Sequence, residues 1–190
     1  SPAHHCRATL ECIKATEKVT MNPGLVHLLA AHQFEEDSLR TWQKQAITGV
    51  GTKLDVQQFQ GGQSNTTFLL DADSGQYVLR KKPPGKTLPS AHMVEREYKV
   101  MRALSEHPSV PVPATRALCE DSNIIGTPFY VMDFLEGRIV NHPALRALNR
   151  QERMPAHLSA IDTLAALHSV DVNAVGLGDY GRPEGYVARQ

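Results

Sequence analysis

Three consecutive cations end a predicted strand of this 190-residue chain, in the stretch YVLRKKPPG at residues 77–85. Because side chains alternate between the two faces of a strand, Arg80 is expected on one face and Lys81 on the other. Arginine keeps its charge and offers a planar fork of donors that fits a carboxylate or a phosphate. The stretch therefore predicts either anion binding by Arg80 or an ordinary solvated charge run.

A helix predicted in HMVEREYKVMRALSEH, residues 92–107, offers Arg80 a partner. At about 100° per residue, Glu97 lies at the centre of an apolar stripe. That stripe is formed by Met93, Val100, Met101 and Leu104. A carboxylate on such a stripe costs several kcal/mol unless it is paired. We therefore expect Glu97 to pair with Arg80, either as a structural ion pair or as one that holds the cation for phosphate contact.

The turn GGQSN joins two predicted strands, whereas a Walker A loop or a dinucleotide fingerprint joins a strand to a helix. Both of those sites are excluded. Glycines still allow backbone N–H groups to approach phosphate oxygens, and Ser64 adds a hydroxyl donor. The residues of this candidate phosphate loop are Gly61, Gly62, Gln63, Ser64 and Asn65. An ordinary hairpin turn is the alternative.

The segment TPFYVMDFLEG, residues 127–137, has the form of a kinase hinge, an apolar strand that runs into an acidic residue, a leucine and a glycine. Adenine would be bound there by backbone groups next to Met132, with the carbonyl of Asp133 and the N–H of Leu135 as candidate contacts. Together with a cation–carboxylate pair under a Gly-rich hairpin, this is the arrangement found in kinases. A plain core strand is the other interpretation.

The elements that position these residues follow the order β-β-β-α-β-β and then a helix. The predicted strands are residues 54–59, 66–71, 76–81, 115–120 and 129–135. Residues 21–53 predict a helical segment, with Met21 as a possible start and residues 1–20 as an extension. The last helix, within 150–170, has an apolar stripe of Met154, Leu158, Ile161, Ala165 and His168, on which His168 is expected to pack.

The charge, the cysteine count and the apolar runs of the sequence argue against several kinds of partner and site. Twenty Lys and Arg against twenty Asp and Glu give no net charge, which argues against nucleic acid or an anionic membrane surface as partner. Three cysteines without a CxxC spacing predict neither a disulfide framework nor a zinc knuckle. No apolar run reaches the roughly 20 residues of a membrane span, and no secretory signal is recognisable. We expect an intracellular protein without a transmembrane segment.

The stretches GGQSNTTFLL, YVLRKKPPGKTLPSAHMVEREYKVMRAL, VPVP, IGTPFYVM and LHSVDV resemble the aminoglycoside-phosphotransferase-type kinase domain. The resemblance is strongest to the version that precedes the flavin dehydrogenase in acyl-CoA dehydrogenase family members ten and eleven. It implies an α+β fold, with a protein-kinase-like N-lobe of five antiparallel strands and one helix at residues 54–137 that ends in the hinge. Residues 138–190 would then begin a helical C-lobe that is incomplete.

The resemblance also implies ligands and a setting. Arg80 would contact phosphate with Glu97 as its helix partner, residues 61–65 would form the phosphate loop, and residues 133–135 the hinge. ATP and Mg²⁺ would be the ligands, an acyl-CoA such as a 4-hydroxyacyl-CoA the acceptor, and FAD would belong to the absent dehydrogenase domain. The compartment would be peroxisomal or mitochondrial. Lys81 and Lys82 are expected to be solvated or to contact an anionic acceptor.

The chain departs from this family at the catalytic loop. Phosphotransferases of this class need an aspartate in a His-Gly-Asp segment, a following Asn and a metal-binding Asp. No His-Gly-Asp segment occurs in the sequence, and Asp179 in GLGDYG lacks the downstream Asn. We therefore expect no catalytic residue and no metal ligand in this chain. Its apolar helix would be covered by a missing C-lobe or by a partner. The alternatives are an inactive nucleotide- or partner-binding module and an unrelated α+β domain.

Overall fold

A computed structural model describes residues 24–29, 32–60, 65–83, 93–140, 142, 144–181 and 184–185. Its elements are β1 (Leu25–Val26), α1 (Glu36–Ala46), β2 (Leu54–Phe59), β3 (Thr66–Ala72), β4 (Gly75–Lys81), α2 (Val94–Ser105), β5 (Thr115–Cys119), α3 (Ser122–Ile125), β6 (Phe129–Asp133) and α4 (Arg150–His168). The chain divides into two compact units. One contains the described residues of Lys18–Met101 together with Pro113–Ile139, and the other contains Arg102–Val112 and the described residues from Val140 onward.

The first unit is built on an antiparallel sheet with the strand order β1-β2-β3-β4-β6-β5. The α+β fold predicted from the sequence is confirmed, but the sheet has six strands where five were expected. The additional strand, Leu25–Val26, pairs with the end of β2 in a segment that was predicted to be helical. That helix begins only at Glu36, where Glu36 and Asp37 place negative charge on its first turn.

Two faces of the sheet are set by the alternation of side chains along each strand. On one face, Tyr77, Leu79 and Lys81 of β4 lie on the same side as Phe68 and Val131, and α1 packs there. The Trp42 ring of α1 meets the Phe129 ring edge-on at 4.7 Å between centroids. The buried core of this face consists of Leu39, Ile47, Val50, Leu54, Val56, Phe68, Leu70, Ala72, Tyr77, Leu79, Cys119, Ile125, Phe129 and Val131.

The opposite face carries Val78 and Arg80 of β4 and the directly adjacent residues Met132 and Tyr130 of β6. Glu97 of α2 reaches Arg80 on this face. The sheet order therefore matters for the site, because it places β6 beside β4 although β5 precedes it in the chain.

Helix α4 dominates the second unit, and its start is fixed by local hydrogen bonds. The Asn149 side chain accepts from the N–H groups of Gln151 and Glu152, and the Glu152 carboxylate accepts from the Asn149 N–H, which is a complete capping box. Every residue of α4 is described and none is buried. Across the described part of the chain, no helix combines the length and the apolar character that a membrane span needs.

Candidate functional site

The centre of the candidate site is an ion pair between strand β4 and helix α2. Arg80 Nε donates to Glu97 Oε2 at 2.9 Å, and Arg80 Nη2 donates to Glu97 Oε1 at 3.4 Å. The side chains of Arg80 and Glu97 are 29% and 36% exposed, so the pair lies at the edge of the interior and not within it. The helix stripe thus placed Glu97 on the correct side, but the carboxylate is less deeply buried than its position on the stripe predicted.

Glu97 accepts two further hydrogen bonds from uncharged groups. Asn65 Nδ2 donates to Oε1 at 2.6 Å, and the Tyr130 hydroxyl donates to Oε2 at 3.2 Å. Asn65 and Tyr130 are 3% and 2% exposed. Burial, and then the negative charge of Glu97, raise the pKa of the Tyr130 hydroxyl, so this group stays protonated and acts as the donor. Each carboxylate oxygen therefore receives one bond from Arg80 and one from a neutral partner.

The guanidinium of Arg80 retains donors that Glu97 does not use. Arginine has five N–H donors in a fixed fork, and the two bonds to Glu97 leave three of them. The Arg80 side chain makes no other hydrogen bond with the described residues. A partly exposed guanidinium that is held from one side and open at the other is suited to the oxygens of a phosphate.

The candidate phosphate loop is described only at its last residue. Gly61, Gly62, Gln63 and Ser64 lie outside the described residues. Asn65 stands at the start of β3 and is buried, with its amide donating to Glu97. The structure therefore places Asn65 against the ion pair, where the sequence had placed it only within the phosphate loop.

The candidate hinge follows β6. Met132 is half-buried, on the face of the sheet that carries Arg80. The Asp133 N–H donates to the Ala114 carbonyl at 2.9 Å, and its carboxylate accepts two hydrogen bonds from Arg116. Leu135 is 62% exposed, and its N–H has no hydrogen-bond partner among the described residues. Among the described residues, the backbone donor that was predicted for adenine is thus not used by another group.

Arg116 owes its position to an irregularity in the sheet. The pairing of β5 with β6 shifts by one residue between Thr115 and Ala117, which leaves Arg116 as the extra residue of a bulge. Bulges redirect side chains, and here the guanidinium meets the Asp133 carboxylate. The hydrogen bonds that Arg116 donates to the Asp133 carboxylate raise the pKa of Arg116.

Lys81 corrects one sequence-based prediction. It was expected to be solvated or to contact an anionic acceptor, but it is 6% exposed and lies on the α1 face of the sheet. Its Nζ stands 4.9 Å from the centroid of the Phe34 ring, a cation–π contact. Burial lowers the pKa of Lys81. Lys82 is half-buried, so an anion contact stays a prediction for Lys82 alone.

Tyr130 and Arg116 are site residues that the sequence reasoning missed. Tyr130 lies directly opposite Arg80 across the β4–β6 pair. Strand alternation within FYVMD puts Tyr130 and Met132 on one face, but only the strand order shows that this face holds Arg80. Within the described ranges, no group of three or more His, Cys, Asp or Glu side chains could hold a metal ion.

The chain is similar in sequence to a known family and to named proteins. The model of the phosphotransferase enzyme family matches residues 55–190. The Arabidopsis thaliana protein named "Probable acyl-CoA dehydrogenase IBR3" is 46% identical over 173 residues, which cover 87% of this chain and 21% of that protein. Acyl-CoA dehydrogenase family member 11 of Rattus norvegicus is 43% identical over 169 residues, covering 87% of this chain and 22% of that protein.

A solved structure supports the fold as well. A Ralstonia eutropha protein assigned as an aminoglycoside phosphotransferase superposes with a TM-score of 0.70 at 40% identity, covering 83% of this chain and 45% of that one. The chain spans about a fifth of the length of the curated relatives it matches. Because the family model covers residues 55–190, well over half of the sequence, the chain belongs to the phosphotransferase enzyme family and has its kinase-like fold.

Proposed function

We propose that this chain is the nucleotide-binding part of an aminoglycoside-phosphotransferase-like small-molecule kinase, with ATP as the nucleotide. The observation that carries the proposal is the Arg80 guanidinium, which gives two of its five N–H donors to Glu97 and the other three to no described residue. Arg80 would bind phosphate oxygens, and the carbonyl of Asp133 and the N–H of Leu135 would bind adenine beside Met132. Residues 61–65 would close over the phosphates, and Mg²⁺ would accompany the nucleotide.

The proposed division of the chain follows from these roles. Residues 54–137 would form the N-lobe with its hinge, and residues 138–190 the beginning of a helical C-lobe. The exposed apolar side chains of α4 support this division, since a free surface helix seldom carries them in a row. They are Met154, Leu158, Ile161, Leu164 and Leu167. The remainder of the C-lobe would cover them.

For the longer protein we propose phosphorylation of a 4-hydroxyacyl-CoA ahead of a flavin acyl-CoA dehydrogenase domain, in fatty-acid catabolism within a peroxisome or mitochondrion. The support is the identity of the relatives, which are named as acyl-CoA dehydrogenases and of which this chain matches about a fifth. FAD would belong to that second domain. The described residues would provide the nucleotide site but neither the base nor the metal ligands.

The test is to titrate the 190-residue chain with ATP. Calorimetry measures the affinity, and thermal unfolding measures the stability that ATP adds. At 100 times the dissociation constant, a ligand of the folded state adds about 2.7 kcal/mol of stability, which corresponds to several degrees in Tm. Arg80→Ala should weaken ATP binding at least tenfold, because it removes the charged phosphate contact. Arg40→Ala is the matched control, since Arg40 also pairs with a carboxylate, Asp37, but on helix α1. Equal ATP affinity in both variants would refute the proposed role of Arg80.

A second candidate function is an inactive module that binds nucleotide or a protein partner without transferring phosphate. The sequence favours it by lacking a His-Gly-Asp segment, and α4 favours it by its exposed apolar side chains. The two functions separate when the longer protein is assayed with ATP and acyl-CoA. Phosphate transfer by the longer protein establishes the kinase, whereas nucleotide binding without transfer in both chains establishes the module.

A further inference from the structure

Glu97 accepts hydrogen bonds from residues of two strands and from the residue that precedes a third. Arg80 belongs to β4, Tyr130 belongs to β6, and Asn65 stands directly before β3. Glu97 itself lies on α2, so these bonds connect the helix to three neighbouring strands of the sheet. A lysine–glutamate or arginine–glutamate pair alone would connect it to one strand only.

The bonds are distributed so that the neutral donors fix the carboxylate independently of Arg80. Asn65 Nδ2 donates to Glu97 Oε1 at 2.6 Å, whereas the hydrogen bond from Arg80 Nη2 to the same oxygen is longer, at 3.4 Å. Tyr130 binds Oε2, the oxygen that also receives Arg80 Nε. With one neutral donor on each oxygen, the carboxylate plane is held even when the guanidinium moves, and Glu97 therefore presents a fixed surface to Arg80.

The two polar atoms of the Asn65 side chain differ in their hydrogen bonds to the described residues. Its Oδ1 is buried and has no hydrogen-bond partner among the described residues, while its Nδ2 serves Glu97. An unsatisfied buried acceptor is unfavourable, and an apolar residue of similar shape would avoid it. The amide cannot turn over to use its oxygen without facing two negatively charged atoms. The retained function of Asn65 is thus its N–H bond to Glu97.

We propose that Asn65 and Tyr130 are positioning residues that hold Glu97 so that Arg80 keeps its open side toward the nucleotide phosphates. This inference rests on the proposed nucleotide binding and gives Asn65 and Tyr130 a positioning role in that site. The role requires no contact between either residue and phosphate. Both act through Glu97, and their removal lets the guanidinium tilt and lose part of its alignment with the phosphate oxygens.

The test uses Tyr130→Phe, which keeps the ring and removes only the hydroxyl, and Asn65→Ala, each in the 190-residue chain. The matched control is Tyr77→Phe, because the Tyr77 hydroxyl bonds Ser74 at 2.7 Å on the opposite face of the sheet. Thermal unfolding without nucleotide should show similar small losses for the two Tyr→Phe variants. ATP affinity should fall about three- to tenfold for Tyr130→Phe and Asn65→Ala, and change less than about twofold for Tyr77→Phe.

A double-mutant cycle separates positioning from general stability. In a Glu97→Ala background, Tyr130→Phe and Asn65→Ala should cause no additional loss of ATP affinity, because the group through which they act is absent. Wild-type ATP affinity in both single variants would overturn this inference and leave the proposed function intact, and so would equal losses with and without Glu97. If the wild-type chain does not bind ATP while Arg80 and Glu97 remain energetically coupled in unfolding, the proposed function fails and this inference fails with it.

Discussion

The sheet unit and helix α4 differ in the kind of contact that defines their structure. In the sheet unit, side chains from β2, β3, β4, β6 and α1 bury one another, and Phe68, Leu79 and Phe129 are completely inaccessible. In α4, the capping box at Asn149 and Glu152 defines the start, but no residue of the helix is buried. One region is held by contacts between distant parts of the chain, and the other forms from local signals.

This difference shows what an apolar stripe can and cannot predict. The stripe in α2 includes a buried residue, Leu104, whereas the stripe predicted in α4 is exposed, with Leu158 at 52% and Ile161 at 61%. His168, which was expected to pack on the α4 stripe, is exposed too. The partly covered residues of α4 are instead the small or polar ones, among them Ala156, Ser159 and Thr163. An apolar stripe therefore indicates which face of a helix can be buried against another element. It does not show that such an element is present.

The largest expected effect is a difference in the free energy of unfolding between two Leu→Ala substitutions, one in the sheet core and one on α4. Leu79→Ala in the sheet core should lower the free energy of unfolding by about 2–5 kcal/mol, since it leaves a cavity at a residue that is 0% exposed. Leu158→Ala on α4 should change it by less than about 0.5 kcal/mol, because alanine is a good helix former and little burial is lost.

Denaturant unfolding checks both values. The fluorescence of Trp42, which packs on Phe129, follows the sheet unit, and circular dichroism follows α4 together with the rest. A loss above about 1 kcal/mol for Leu158→Ala would contradict the comparison, because such a value is typical of a covered side chain.

The exposed stripe of α4 should also bind a hydrophobic dye. We expect the 190-residue chain to enhance anilinonaphthalene sulfonate fluorescence, and Leu158→Lys with Ile161→Lys to remove most of that signal without loss of helical content. Leu29→Lys is the control, since Leu29 is 54% exposed but lies in the sheet unit and not on α4. Unchanged dye binding in the double variant, or an equal decrease for Leu29→Lys, would show that the stripe is not the binding surface.

Whereas α4 exposes apolar side chains, the sheet unit buries a charged one, Lys81. Because burial lowers its pKa, the protonated amine is disfavoured in the folded state, and the cation–π contact with Phe34 offsets only part of that cost. Lys81→Met should therefore stabilise the fold at pH 7 by about 1 kcal/mol. The wild type should recover this deficit as pH rises from the lowered folded pKa toward the unfolded value of 10.5.

Unfolding midpoints of Lys81→Met and wild type between pH 7 and 10.5 measure this convergence. Lys82→Met is the control, because Lys82 is only half-buried. A destabilised Lys81→Met with a constant difference from wild type across this range would mean that the ring contact outweighs desolvation.

Much of the fold could be predicted from the sequence because its signals are local. Alternation along YVLRK assigned Arg80 and Lys81 to opposite faces, and helix periodicity directed Glu97 toward Arg80. The order of strands and helices was also predicted from local patterns, and the α+β class was implied by the resemblance to the phosphotransferase-type kinase domain. The site residues keep their proposed nucleotide roles as predictions, since the structure provides their geometry without a ligand.

The remaining features depend on contacts between segments that are distant in sequence. Tyr130 joins the site only because β6 inserts between β4 and β5, and Arg116 meets Asp133 only through a bulge. Lys81 was assumed to be solvated because it is charged, but its neighbour Phe34 lies far before it in the chain. Pairing order, bulges and ring contacts have no counterpart in local periodicity, so sequence reasoning could not place these three residues.

The smallest expected effect concerns a loop at the edge of the sheet unit. The exposed Asp73 carboxylate accepts hydrogen bonds from the N–H groups of Lys53 and Thr52 at 2.9 and 2.7 Å. Gly51 has φ +84°, and a Cβ there would overlap the Asp73 side chain, so the turn is shaped around this contact. The bonds from Lys53, then Thr52, lower the pKa of Asp73.

A lowered folded-state pKa gives stability that is present above the unfolded value of 3.8 and is lost as pH falls through the folded value. Asp73→Ala should therefore unfold at a lower temperature than wild type at pH 7, with the difference shrinking as pH drops below 3.8. Asp73→Asn keeps an acceptor oxygen without a titrating charge, so its difference from wild type should be smaller at pH 7 and should also shrink in acid. A Tm difference between wild type and Asp73→Ala that is constant from pH 7 to pH 3 would show that the carboxylate charge contributes nothing and that the sheet edge is held by packing alone.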